Sequence, residues 1–128
     1  MGIGSMQLFT SVTRSMVAAV ALVTLGGCAL HSMTSVRERG VAASFTAQRT
    51  TDQVAQCIAV SWQNPSLVGA ELAAYTQPRT AGGLTVYTRD NEYLADVVAA
   101  GNGATVDFYA YEDSPAQARL IAALATCL

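Results

Sequence analysis

The stretch LTVYTRDNEYLADVVAAGNGATVDFYAY, Leu84 to Tyr111, holds two turn signals, Asp90-Asn91 and Asn102-Gly103, between runs of β-favouring residues. Asn-Gly is the strongest short hairpin signal, and a two-residue loop at each site predicts a register for each hairpin. In the first hairpin Thr88 should face Tyr93, Val86 face Ala95 and Leu84 face Val97; in the second, Ala99 should face Val106, Val97 face Phe108 and Ala95 face Ala110. The two registers are independent, yet both place Leu84, Val86, Ala95, Val97, Ala99, Val106 and Phe108 on one face. A slip of one residue would carry Asp96 and Asp107 into the core, so the pattern strongly favours a three-strand meander.

Helical periodicity flanks this meander. Thr50 followed by Gln53 has capping-box spacing, after which Val54, Cys57, Ile58 and Ser61 or Trp62 recur at helical intervals until Asn64-Pro65. The C-terminal segment has the same grammar: Ser114 at the cap, Pro115 at the first helical position, Gln117 three residues after the cap, and then Leu120, Leu124 and Cys127 on one face. Cys57 and Cys127 therefore lie on inward stripes. Between the first helix and the meander, Glu71–Thr76 reads as an edge strand beside Leu84–Arg89 or as an Ala-rich helical turn, with Pro78 and Gly82-Gly83 making the connection. The resulting expectation is an α+β fold: a small antiparallel sheet of three to four strands, with N- and C-terminal helices packed on one face.

Residues 29–49 mix small, polar and charged types without a sustained period and read as a flexible tether, with a short extended piece at Ala43–Ala47. Ahead of them, MGIGSMQLFTSVTR carries one side-chain positive charge, Arg14, and is followed by the apolar run SMVAAVALVTLGG. That order is the order of an export signal. A membrane span needs roughly 20 apolar residues, which makes a short anchor reaching Leu30 the lesser alternative.

Leu25-Gly26-Gly27-Cys28 resembles the lipobox of bacterial lipoproteins, in which a branched apolar residue and two small residues precede an acylated cysteine. The resemblance covers the signal only. It implies removal of residues 1–27, diacylglycerol and an N-acyl chain (commonly palmitate) on Cys28, and a membrane anchor. Ala29 stands where an aspartate would mark inner-membrane retention, which implies the periplasmic side of the outer membrane. The alternative is an ordinary signal cut near Ala29 and a secreted or periplasmic product. With Cys28 given to lipid, Cys57 and Cys127 remain as a matched pair, which the oxidising periplasm should join by a disulfide that staples the first helix to the last. Two unpaired core cysteines are the alternative. The expected organisation is thus a signal peptide at 1–27, a lipidated tether at 28–49 and an α+β domain at 50–128.

The sheet face turned away from the helices should be open. It carries Tyr87, Arg89, Leu94, Asp96, Tyr109 and Tyr111, a set of tyrosines with apolar bodies and wet tips that suits a partner-binding surface. Aromatic residues also favour strands for their own cross-strand packing. Catalytic constellations are missing: the lone histidine, His31, sits in the expected tether, no lysine is present, and no Ser-His-Asp set, metal-spaced His/Cys cluster or phosphate-binding glycine loop occurs. Asp96 and Asp107 read as diagonal neighbours on an exposed face, a poor setting for acid-base work. With 12% charged residues and a net charge of -2, no basic footprint points to nucleic acid. The chain therefore reads as a non-enzymatic envelope lipoprotein without cofactor beyond its lipid. It would dock on an envelope protein or peptidoglycan or, alternatively, act as an inhibitor or immunity protein against a periplasmic toxin or lytic enzyme. The layout also resembles small exported proteobacterial proteins of unknown role.

Overall fold

The computed structural model describes residues 31–128, so the expected signal and Cys28 lie outside the described residues. In chain order the elements are α1 (Met33–Glu38), β1 (Ala43–Ala47), α2 (Thr51–Trp62), α3 (Pro65–Val68), β2 (Ala74–Pro78), β3 (Leu84–Thr88), β4 (Tyr93–Ala100), β5 (Gly103–Ala110) and α4 (Pro115–Ala125). The strands form one antiparallel sheet in the order β1-β5-β4-β3-β2. The fold is α+β, as expected, with five strands rather than three to four.

The first hairpin has the expected register, Val86 opposite Ala95 and Leu84 opposite Val97. Its loop residues Asp90 and Asn91 take φ of 66° and 56°, the two positive values that a type I′ turn requires. The second hairpin differs from expectation by two residues: Val97 faces Val106 and Ala95 faces Phe108. Its loop is Gly101-Asn102, not Asn102-Gly103, because Gly101 supplies the positive φ of 58°. Gly103 is retained in β5, where it pairs with Ala100. A Cβ on Gly103 would collide with the carbonyl of Ala47, so β1 approaches closely only because that side chain is absent. A two-residue shift conserves strand parity, which is why the expected inward residues still share one face, where Val86, Ala95, Val97, Val106 and Phe108 are buried and Ala99 near the hairpin end is exposed. Gly103→Ala should therefore push β1 off the sheet edge and cost about 2 kcal/mol, within the range for overpacking, read as a lower urea midpoint.

Thr50 caps α2 through a reciprocal box with Gln53, and Val54, Ala55, Ile58, Ser61 and Trp62 form its buried stripe. Trp62 donates its indole N–H to the Leu120 carbonyl at 3.0 Å and meets Phe108 edge-on, binding α2 both to α4 and to the sheet. A second tie is covalent, the disulfide between Cys57 and Cys127, whose Cα atoms are 5.6 Å apart. Ser114 occupies the cap position of α4, but its hydroxyl bonds the Tyr93 hydroxyl instead of a helix N–H. The alternative left open before the meander resolves as a strand. β2 begins at Ala74 rather than Glu71 and pairs with β3 at the sheet edge, where Pro78 ends it without leaving a central strand short of a donor.

The largest departure lies N-terminal to Thr50. Residues 33–47, expected as tether, supply a helix and a strand of the same fold. The extended piece expected at Ala43–Ala47 is β1, which pairs along β5 from Ala43-Phe108 to Ala47-Ala104. Helix α1 lies on the face opposite α2 and α4, so the helices do not all share one side of the sheet. Ser32 caps α1 by accepting from the Ser35 N–H at 3.0 Å, and Val36 is fully buried. Six residues are too few for a helix to stand alone in water, which makes α1 a product of its contacts rather than of its own propensity.

Candidate functional site

The strand parity places Thr85, Tyr87, Leu94, Asp96, Asp107 and Tyr109 on the α1 side of the sheet, the face expected to be open. It is covered at its centre. Leu94 and Thr85 have no exposed surface and Asp96 retains 4%. The expectation that Asp96 is exposed is thus corrected, and so is its position: it stands directly opposite Asp107 rather than diagonal to it. Like charges so placed destabilise a sheet unless each finds a partner.

Each does. Arg37 of α1 grips Asp96 with two bonds, Nε to Oδ2 at 2.8 Å and an Nη to Oδ1 at 2.9 Å, and donates a third to the Thr85 hydroxyl at 3.0 Å. The Thr85 hydroxyl itself donates to Asp96 at 2.6 Å, and the Arg79 guanidinium lies 3.5 Å away. Ser44 of β1 donates to Asp107 at 2.6 Å. Burial acts to raise the Asp96 pKa, but hydrogen bonds from Arg37 and Thr85, with the charges of Arg37 and Arg79, outweigh it and hold the carboxyl below its ordinary value. The same bond raises the Arg37 pKa. Tyr109 is raised by burial and by the nearby Asp96 charge. A carboxylate held ionised by this many donors serves to position α1, and it is poorly suited to take up a proton at neutral pH.

The remaining expected face residues divide by location. Tyr87 is half-buried and packs at 5.4 Å against Tyr75 of β2, which is 43% exposed. Arg89 is exposed in the β3–β4 turn. Tyr111, just past β5, is stacked by the His31 ring at 3.4 Å between centroids, and the Arg39 guanidinium lies 4.1 Å from its centroid. The Asn91 side-chain amide donates to the His31 carbonyl at 2.7 Å, so the start of α1 is fastened to the β3–β4 turn. The structure therefore brings Thr85, Leu94, Asp96 and Tyr109 together beneath α1 and leaves Arg89 apart from them.

Two clefts border the strap formed by α1. One of about 240 Å3 is lined by Arg37, Gln77, Arg79 and Thr85, and another of about 300 Å3 by His31, Glu92, Tyr111 and Glu112. Among the described residues no group of three or more His, Cys, Asp or Glu side chains is placed to hold a metal ion, and no helix is long and apolar enough to cross a membrane.

Arg37, Arg79, His31 and Val36 were not among the sequence-derived candidates. One signal for a covered face is present in β4: Leu94 and Val98 are apolar at one parity while Ala95, Val97 and Ala99 are apolar at the other, the pattern of a strand buried on both sides. No protein-family model, no curated protein and no solved structure matches the chain.

Proposed function

We propose that this chain is an envelope lipoprotein whose folded part is a non-enzymatic structural or partner-binding module. In this reading residues 1–27 are an export signal, Cys28 carries the diacylglycerol and N-acyl lipid, and Ala29 directs the product to the outer membrane. The observation that carries it is the Cys57–Cys127 disulfide, which supports an oxidising compartment and gives both other cysteines a structural use. Cys28 is then free to be the lipid acceptor of Leu25-Gly26-Gly27-Cys28. A non-enzymatic role is supported by the Asp96 cluster, whose donors are spent on holding α1.

The strap also changes where the module sits. Folded structure extends back to Ser32, the cap of α1, so the spacer between lipid and fold shrinks from the expected tether to a few residues. Intact-mass analysis of membrane-extracted protein tests the reading. The expected product begins at Cys28, carries the mass of a diacylglyceryl group and an acyl chain, and gains two hydrogens on reduction. Cys28→Ser should abolish the lipid mass and the membrane association together. A lipid-free chain cut near Ala29 would overturn the proposal.

A further inference from the structure

The start of α1 is fastened at one end of the sheet. The His31 carbonyl accepts from Asn91 at the β3–β4 turn, and its ring stacks on Tyr111 beyond the end of β5. These two sites adjoin, because Tyr111 donates its backbone N–H to the Glu92 carbonyl at 2.8 Å. The other end of the sheet holds the Gly101-Asn102 turn and the start of α2 at Thr50. Eight residues of β4 separate the two ends, roughly 25 Å at the usual strand rise.

We infer that the rim formed by His31, Asn91, Glu92, Tyr111 and Glu112 is the lipid-facing surface of the domain, and that the Gly101-Asn102 end points away from the membrane. The inference rests on the lipid anchor at Cys28. Only Ala29 and Leu30 separate Cys28 from His31, and the three fully extended steps from one to the other reach about 11 Å, less than half the length of β4. The rim is therefore held within that reach of the anchor, and the distal turn cannot come closer to the anchor than the rim without breaking the Asn91 and Tyr111 contacts.

The charge of the rim identifies the lipid it fits. Asp90, Glu92, Glu112 and Asp113 are exposed there against two cations, Arg89 in the same turn and Arg39 over the Tyr111 ring, so the rim carries two more acidic than basic side chains. Such a surface is repelled by anionic headgroups over a Debye length of roughly 8 Å at physiological salt. It fits a zwitterionic lipid surface, on which the anchor, not attraction, sets the distance. The sheet edge with Tyr75 and Tyr87 then faces sideways, and the distal end is free for a periplasmic partner.

Fluorescence quenching on vesicles tests this orientation. The chain from Cys28 onward keeps every described element and can be coupled through the Cys28 thiol to a maleimide lipid in phosphatidylcholine vesicles, with Cys57 and Cys127 left oxidised. A dye on an azide-bearing residue placed at Glu112 or at Asn102 reports depth when part of the lipid carries a nitroxide on its headgroup. Quenching several-fold stronger at position 112 than at 102 is expected, and equal or reversed quenching would overturn the assignment. Asn91→Gly combined with Tyr111→Ala releases His31 while respecting the positive φ at Asn91, and should bring the two positions towards equal quenching. A difference that survives this variant would also overturn it. Because the coupling supplies the anchor, these outcomes are separate from those of the mass analysis, which decides whether Cys28 is acylated in the cell.

Discussion

Replacing Cys57 and Cys127 together by alanine should lower the free energy of unfolding by about 4 kcal/mol, the chain-entropy value for a closed loop of this size. The separation of 70 residues is what makes the effect large, since the bridge restricts most of the chain in the unfolded state. The native core should change little, because Trp62 still ties α2 to Leu120 of α4 and both alanines keep the cysteine Cβ. Small domains have only about 5 to 15 kcal/mol in total, so the variant should be close to the limit of folding at growth temperature. Thermal unfolding followed by circular dichroism, with the oxidised wild type beside the double variant, should show a midpoint lowered by roughly 20 °C. A loss below about 1 kcal/mol would mean that the unfolded chain is already compact enough for the bridge to add little.

Arg37→Ala should cost about 3 kcal/mol, the lower end of the range for removing one partner of a buried ion pair. The lower end applies because Arg37 is itself 31% exposed and Arg79 stays 3.5 Å from Asp96. What remains is a carboxylate with 4% exposure that has lost its two-point donor. The acid dependence gives a second reading of the same interaction. The Asp96 pKa is lower in the fold than its ordinary 3.8, so the unfolded chain takes up the proton first. Its contribution is complete above the ordinary value, declines as pH falls through it and is gone below the depressed folded value. Urea midpoints at about pH 7 and about pH 3 should therefore differ less in Arg37→Ala than in the wild type, since the variant has less of this interaction to lose. Equal pH dependence in the two proteins would show that Asp96 is not what α1 is held by.

Much of the sheet was legible because its signals are local. Asp90-Asn91 set a turn from its own backbone preferences, and the alternation of Val86, Ala95, Val97, Val106 and Phe108 fixed which side faces α2 and α4. The two-residue shift in the second hairpin has a long-range cause: Asn102-Gly103 is the better local turn, but Gly103 is needed in the strand where Ala47 comes close. The face expected to be a binding surface is covered for a similar reason. Nothing in MTSVRE indicates a stable helix, and Arg37 is 59 residues from the carboxylate it grips.

Taken alone, the sequence determined the inward and outward sides of the meander, the two long helices with the Thr50 cap, and the inward stripes that bring Cys57 and Cys127 together. Each is encoded within a few residues, where hydrophobic period and backbone preference act directly. Only the tertiary structure decided that residues 33–47 complete the fold and that a face lined with tyrosines is closed over Asp96. A six-residue helix and a five-residue edge strand are too short to form by themselves, so their stability comes from Asp96, Thr85 and β5, which exist as partners only once the sheet is assembled.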